Sequence, residues 1–272
     1  MSTVSTWSLH RTLGTFAVAD GAPGQRSAPP PHPQVGGTCL LDLPPLLAEH
    51  GFTSVQICHF HLASRDRGYL LDVAAAFNAS GIGIEALLID DGDLLDDAHS
   101  HATSRWMLQW TEAAGHLGAT RARVIAGRQP PSAQTLRTSA ARLQEIAGAS
   151  PVRVVTENWL ELLPTAADTL RLLEEVGDGV GLLMDLGNWE GPDKHAELGL
   201  IASRAESCHA KCHTRPGSTE LDLHDFRASV AAATEGGYAG PWALVYDGRD
   251  TDEWKNLGTI RAALAEGAEA SQ

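Results

Sequence analysis

Four short apolar runs in the second half of the chain each carry an acid or an imidazole near their C-terminal end. The runs are residues 152–159, 180–185, 206–211 and 242–247, and the polar groups are Glu157, Asp185, His209 and Asp247. Near-continuous apolar runs are typical of parallel strands that are buried on both faces. Because side chains at the carboxyl ends of barrel strands meet at one mouth, the pattern predicts a parallel barrel with a metal ion there.

Strands and helices alternate along nearly the whole chain. The predicted strands are residues 6–10, 54–61, 82–89, 122–127, 152–159, 180–185, 206–211 and 242–247. The predicted helices are residues 39–50, 67–80, 102–117, 132–147, 165–176, 192–205 and 223–234, with a last helix capped by Asp252. Such alternation implies a parallel sheet, and eight units imply an α/β fold of the (β/α)8 TIM barrel type. One domain is expected over residues 1–272, a normal length for one barrel.

Residues 19–37 are crowded with Pro and Gly, including three consecutive prolines from Pro29 to Pro31. Such a segment forms neither a helix nor a central strand. In a barrel it would be a long first βα loop on the catalytic face. A disordered surface insertion is the alternative interpretation.

The composition argues against several classes of partner. The formal net charge is −14, whereas nucleic-acid binding depends on Lys and Arg side chains that displace counterions. The N-terminus lacks a basic region followed by an apolar one, and no apolar run approaches ~20 residues. The four cysteines lack CxxC spacing, which favours buried free thiols over a disulfide framework. We therefore expect a cytoplasmic protein that binds neither nucleic acid nor membranes.

The four polar groups at the strand ends form a suitable ligand set for one divalent cation. Carboxylate oxygens suit Mg²⁺ and Mn²⁺, and one imidazole shifts the preference towards Mn²⁺, Co²⁺ or Zn²⁺. We expect Mn²⁺ first, bound by Glu157, Asp185, His209 and Asp247. For any one of the acids alone, a helix cap or a surface charge at the barrel mouth is the alternative.

Three segments also resemble a known family: residues 156–159, 184–189 and 208–211. They are similar to segments of sugar phosphate isomerase/epimerase proteins of the xylose isomerase-like TIM barrel superfamily, and the resemblance is clearest from Val55 onward. That superfamily includes ketose 3-epimerases, hydroxypyruvate isomerase, inosose dehydratase and metal-dependent abasic-site endonucleases. The resemblance implies a Glu, an Asp and a His on strands five to seven as metal ligands, which are here Glu157, Asp185 and His209.

The chain departs from the family pattern at three positions. The family's strand-eight Glu aligns with Val245, and the next acid, Asp247, is on the same strand face about 6.5 Å further along. Asp247 is therefore expected to reach the ion directly or through water, or to act on the substrate alone. Asn188 replaces a frequent His, and Gln56 replaces a frequent Glu. With these ligands removed, we expect a site for one ion and disfavour an abasic-site endonuclease.

A single ion that chelates a hydroxyl and the adjacent carbonyl oxygen makes the carbon between them acidic. In the ketose epimerases that the chain resembles, the carboxylates of strands five and eight remove and return the proton. This implies Glu157 and Asp247 as the acid/base pair, with Asp185 and His209 as structural ligands. Lys211 faces the same way as His209 and is expected to hold a substrate oxyanion or phosphate, unless its stem only snorkels to solvent.

Five further side chains are candidates for contacting substrate: His59, His61, Trp159, Asn188 and His213. His59 and His61 share one face near the end of strand two, and Trp159 could stack on an apolar sugar face. The alternatives are packed histidines, and a Trp that forms the core of a loop.

The sequence therefore predicts a metal-dependent isomerase or epimerase that acts on a small sugar or polyol-derived carbonyl compound through an enediolate. One alternative is a lyase or dehydratase on the same site, with an inosose or C-glycoside-type substrate. The other is a barrel that binds a metabolite without catalysis, which the substitution at Val245 keeps open. A homodimer is one expected state, because barrels of this type commonly pair.

Overall fold

The computed structural model describes residues 2–13, 21–23 and 37–269, with the side chains of residues 268 and 269 excepted. Most of the predicted first βα loop, residues 19–37, therefore lies outside the described residues. In the described residues, eight parallel strands form a closed barrel in the order of the chain, with β1 paired to both β2 and β8. The predicted α/β fold of the TIM barrel type is confirmed.

The strands are short, and each is followed by a helix or turn. They are β1 Thr3–Ser5, β2 Ser54–Cys58, β3 Gly83–Leu88, β4 Arg121–Arg123, β5 Arg153–Glu157, β6 Gly181–Asp185, β7 Ala205–Cys212 and β8 Trp242–Tyr246. The helices of the described residues are α1 His10–Leu13, α2 Leu43–Glu49, α3 Arg67–Ala79, α4 Ser100–Leu117, α5 Ala133–Ala149, α6 Ala166–Val176, α7 Lys194–Ala202, α8 Leu223–Glu235 and α9 Glu253–Glu269. None of them is long and apolar enough to cross a membrane.

Side-chain capping sets the start of several helices. The Ser132 hydroxyl accepts the Thr135 N–H at 3.0 Å before α5, and the Thr165 hydroxyl accepts the Asp168 N–H at 3.2 Å before α6. Asp252 accepts the Lys255 N–H at 3.0 Å, which confirms its predicted role before α9. These contacts satisfy backbone donors that have no partner within the first turn.

The first two strands and the fourth differ from the prediction. The predicted first strand, residues 6–10, is wrong: β1 is Thr3–Ser5, and a 3₁₀ turn over Thr6–Leu9 leads into α1. The Thr6 hydroxyl accepts the Cys58 N–H at 2.9 Å, so this side chain ties the turn to β2. Strand β2 ends at Cys58, and His59–His61 form another 3₁₀ turn. Strand β4 is also shorter than residues 122–127.

Alternation along the strands separates an inner from an outer layer. On β6, Leu182 and Met184 pack in the large hydrophobic core, whereas Leu183 belongs to a small inner cluster with Val155 of β5. Because side chains alternate with period two, Asp185 follows Leu183 on the inner face. Glu157 follows Val155 in the same way. The strand pleat therefore brings two acids to the inside of the barrel at its carboxyl end.

Strand β7 carries the most polar inner face. Cys208, Ala210 and Cys212 pack in the outer core, so the alternate residues Ser207, His209 and Lys211 point inward. The predicted buried free thiols are confirmed for Cys58, Cys208 and Cys212, whereas Cys39 is exposed.

Candidate metal centre

Three side chains converge at the barrel mouth. One ligand atom from each of Glu157, Asp185 and His209 lies within 4.8 Å of the other two, and all three residues are buried. Asp185 and His209 are direct register partners on β6 and β7, and Glu157 pairs with Leu183 on β6. His209 Nδ1 lies 3.1 Å from Asp185 Oδ2 and 3.5 Å from Glu157 Oε1. We refer to these three residues as the triad.

These separations fit a single cation. Ligand atoms that are about 2.1 Å from one ion lie about 3.0 Å apart at right angles and about 3.4 Å apart at the tetrahedral angle. The two distances from His209 Nδ1 match this range. Two carboxylates and one imidazole also form the mixed donor set that suits Mn²⁺ or Zn²⁺. The triad is therefore suited to hold one divalent ion.

Two basic side chains contact the same carboxylates. Lys211 Nζ lies 2.9 Å from Asp185 Oδ2, and Arg123 Nε lies 3.0 Å from Glu157 Oε2. Arg123 also pairs with Asp90 and is buried. Burial alone would raise the pKa of Asp185, but the Lys211 ammonium and the hydrogen bond with His209 hold that pKa well below its usual range.

The charge of the triad also acts on its histidine. Burial alone would lower the pKa of His209, but the charge of Glu157 and the hydrogen bond with Asp185 raise it to about 9. Burial opposes the charged form of Lys211 as well, yet the nearby carboxylates, Asp185 foremost, raise its pKa. At neutral pH the Lys211 side chain is therefore a proton donor.

Asn188 joins the triad to Lys211. Its Nδ2 donates to Glu157 Oε1 at 2.8 Å, and its Oδ1 accepts from Lys211 Nζ at 2.8 Å. The neighbouring Gly187 N–H donates to Asp185 Oδ1 at 2.6 Å. Asn188 was predicted to contact substrate, and here it contacts a triad carboxylate and the lysine.

Gln56 lies on the other side of His209. Its Oε1 is 2.7 Å from His209 Nε2, and the side chain is fully buried. From the sequence, Gln56 was interpreted only as the replacement of a metal ligand, and its contact with His209 was not predicted. A contact between residues on β2 and β7 crosses the barrel, so no local pattern could reveal it.

Asp247 is not a member of the triad. Strand β8 ends at Tyr246, and Asp247 is exposed, with its Oδ1 3.6 Å from His213 Nδ1. This contact raises the pKa of His213, whose Nε2 also lies 2.8 Å from the Gly187 carbonyl oxygen. The predicted pair of Glu157 and Asp247 on one ion is therefore not brought together as direct ligands.

The two histidines of the turn after β2 are packed. His59 Nδ1 accepts the Asp90 N–H at 3.2 Å, and His61 Nδ1 lies 2.8 Å from Thr6 Oγ1. Both side chains are buried, and burial lowers the pKa of His61. The prediction that they share a strand face is wrong, because neither belongs to β2.

A pocket with an empty volume of about 350 Å³ opens onto the triad. Its wall includes Lys211, Arg123, Trp7, Trp159 and Val245. The Trp159 ring lies over the Arg123 guanidinium, 5.1 Å from its carbon. Arg123 had no predicted role, although a charged residue inside an apolar strand was an available signal.

The family model of the xylose isomerase-like TIM barrel matches residues 44–266. The chain belongs to this family. No curated protein matches the chain. The resemblance drawn from three short segments is thereby confirmed over most of the sequence.

Several solved structures superpose on nearly the full chain. An L-ribulose 3-epimerase has a TM-score of 0.68 at 20% identity, covering 99% of this chain and 95% of its own. A xylose isomerase-like TIM barrel protein from Mycobacterium smegmatis, in complex with magnesium, has a TM-score of 0.67 at 14% identity, covering 98% and 97%. A probable 3-DHS dehydratase from Bacillus anthracis has a TM-score of 0.64 at 16% identity, covering 96% and 98%. At these identities the likeness is one of fold.

Proposed function

We propose that this protein is a divalent-metal-dependent isomerase or epimerase that acts on a small sugar or polyol-derived carbonyl compound through an enediolate. The observation that supports it most is the triad, whose ligand atoms lie within 4.8 Å of one another beside a pocket. Mn²⁺ is our first choice of ion, with Mg²⁺, Co²⁺ and Zn²⁺ as alternatives.

Glu157, Asp185 and His209 would hold the ion. When bound, the ion would supply Lewis acidity to the substrate's carbonyl and hydroxyl oxygens, and so acidify the carbon between them. Val245 forms part of the pocket wall where the family has a carboxylate, so this chain has one negative charge fewer there. Substrate oxygens and water would complete the coordination of the ion.

Glu157 is the base in this proposal. It contacts Asn188 and Arg123, and it faces the pocket. Lys211 donates a proton or a hydrogen bond to the substrate oxygen on which negative charge develops, because its pKa is raised and it holds its proton at neutral pH. We propose Asp247, in contact with His213, as the group that returns the proton on the other face of the carbon.

Substrate contacts are proposed for residues on the pocket side of the triad. Trp159 lines the pocket and offers an aromatic surface to an apolar sugar face. Asn188 and His213 offer hydrogen bonds near Lys211. His59 and His61 are left out of the proposal, because both are buried and their Nδ1 atoms contact the Asp90 N–H and the Thr6 hydroxyl.

A lyase acting on the same enediolate is the second candidate. Elimination needs a donor for the departing oxygen, and the protonated Lys211 beside the pocket favours this chemistry. One structural neighbour is a probable dehydratase.

Deuterium exchange tests the proposal. The Mn²⁺-loaded protein is incubated in D₂O with a panel of ketoses and inososes, and the products are examined by NMR and mass spectrometry. We expect deuterium at the carbon next to the carbonyl, lost in Glu157→Gln and retained in Glu174→Gln, a matched control exposed on α6. A product that differs in mass from the substrate only by the deuterium indicates an isomerase, and loss of water indicates a lyase. One bound ion with no exchange in any substrate would contradict catalysis and indicate a metabolite-binding barrel.

A further inference from the structure

The two ring nitrogens of His209 have separate partners. Nδ1 faces the triad carboxylates, whereas Nε2 lies 2.7 Å from Gln56 Oε1. A histidine ligates a metal only through a nitrogen that carries a lone pair, so the position of the remaining ring proton decides which nitrogen is available. The partner of Nε2 therefore matters for what Nδ1 can do.

A carboxylate fixes the direction of the Gln56 amide. Gln56 Nε2 donates to Glu85 Oε2 and lies 3.2 Å from Ser207 Oγ. An ionised carboxylate can only accept, so the NH₂ group must face Glu85 and the carbonyl oxygen must face His209. Gln56 is 0% exposed, which leaves no solvent to take over either role. With an acceptor opposite it, His209 Nε2 is a donor.

Glu85 in turn pairs with an arginine further from the barrel mouth. Arg121 is the first residue of β4, and its Nη1 lies 2.9 Å from Glu85 Oε1. Arg121 Nε also lies 3.7 Å from Glu206, which pairs with Arg153 at 2.6 Å. A continuous set of contacts thus runs from this cluster, through Glu85 and Gln56, to the imidazole at the mouth.

We propose that Glu85 and Gln56 are positioning residues, which keep the proton of His209 on Nε2 and so present the Nδ1 lone pair to the divalent ion. This inference rests on the proposed function, since it takes Nδ1 as a metal ligand. Partners of this kind, which orient a ligating histidine, typically change metal affinity by about 10- to 100-fold when they are removed. Neither residue is among those that line the pocket.

Glu85→Gln is the main test. The new amide at position 85 can donate as well as accept, so the Gln56 amide is free to turn and offer its NH₂ group to His209 Nε2. The ring proton then moves to Nδ1, and Mn²⁺ affinity falls by about 10- to 100-fold. Glu206→Gln is the matched control: it also removes a carboxylate that pairs with Arg121, but Glu206 has no hydrogen bond with Gln56 among the described contacts. Its Mn²⁺ affinity is expected to equal that of the wild type.

A charge-conserving exchange provides the rescue. In Q56E/E85Q, the new carboxylate at position 56 can only accept from His209 Nε2, and the new amide at position 85 donates to that carboxylate. Mn²⁺ affinity is therefore expected to return to the wild-type level or above it. A residue that served only to fill space would give no recovery from this exchange. Circular dichroism and thermal unfolding check that every variant is folded.

The ring proton itself is the second readout. Imidazole ¹⁵N spectra are recorded for the Zn²⁺-loaded protein, and for the metal-free protein over a pH series that extends until the imidazole is neutral. The wild type and Q56E/E85Q are expected to carry the proton on Nε2, and E85Q to lose that preference.

The outcomes separate the two proposals. If the wild type binds Mn²⁺ and E85Q binds it equally well, the positioning role is overturned while the proposed function stands. If the wild type binds no ion, the proposed function fails, and the metal-free spectra still decide the positioning role. In those spectra, a share of the proton on Nε2 that falls in E85Q and returns in Q56E/E85Q would support the positioning role, and an equal share in all three proteins would overturn it.

Discussion

Metal binding is predicted to release a proton and to tighten as the pH rises towards 9. In the metal-free protein the pKa of His209 is about 9, because the charges around the triad outweigh the effect of burial. An ion can use Nδ1 only after that nitrogen has lost its proton, so at pH 7 it competes against about two pH units of protonation. At about 1.4 kcal/mol per unit this costs ~2.7 kcal/mol, or ~100-fold in affinity.

The direction follows from which form holds the proton. Only the metal-free protein carries the proton on His209 Nδ1, so a rise in pH removes the proton that competes with the ion. The metal affinity therefore increases about tenfold per pH unit until it levels off above the pKa of His209. Calorimetric titration with Mn²⁺ between about pH 6 and pH 10, in two buffers with different ionisation enthalpies, measures both the affinity and the protons released. We expect one proton per ion at pH 7. Affinity that does not change between pH 7 and pH 9, with no buffer-dependent heat, would show that His209 is neutral in the free protein and would refute the electrostatic reasoning.

Three substitutions test neighbouring contacts. Lys211→Met removes an ammonium that shares Asp185 Oδ2 with the proposed ion, so Mn²⁺ is expected to bind more tightly in calorimetry. Deuterium exchange is expected to fall about 10²- to 10⁴-fold, because a proton donor is lost. Weaker Mn²⁺ binding would contradict this prediction. Val245→Glu adds a carboxylate to the pocket wall, and we expect at least about tenfold tighter Mn²⁺ binding, whereas unchanged affinity would mean that the missing charge does not limit it. Arg123→Met leaves Asp90 buried without its main counter-ion, so the free energy of unfolding measured in urea should fall by about 3–5 kcal/mol. The double variant R123M/D90N is expected to recover part of this loss. A fall of less than about 1 kcal/mol in Arg123→Met would contradict the role of the ion pair.

The fold and the triad could be predicted from the sequence because both depend on local periodicity. A period of two places Glu157 and Asp185 on the inner face, and their position at strand ends places them at the mouth. The same rule fails for Asp247, because β8 ends at Tyr246 and the strand rise no longer applies beyond it. A residue must remain in a strand for alternation to predict where it points.

The residues that surround the triad could not be predicted in this way. Gln56 and His209 are 153 positions apart, and their contact depends on how the barrel closes. Arg123 contacts Asp90 and Glu157 on the two neighbouring strand–loop units, through the pairing of β4 with β3 and β5. The first strand was misplaced because Thr6 has high strand propensity, whereas its hydroxyl is used to hold a turn against β2.

The pleat of β7 separates two kinds of ligand on one strand. His209 and Lys211 point into the barrel, whereas the thiols of Cys208 and Cys212 point outward and are buried beneath the helices. Deleting a single residue early in β7 would exchange these faces, and Cys208, Ala210 and Cys212 would face the interior in place of Ser207, His209 and Lys211. The absence of thiols from the inner face of β7 thus depends on the register of the strand, and a change of side chain at the surface could not restore it.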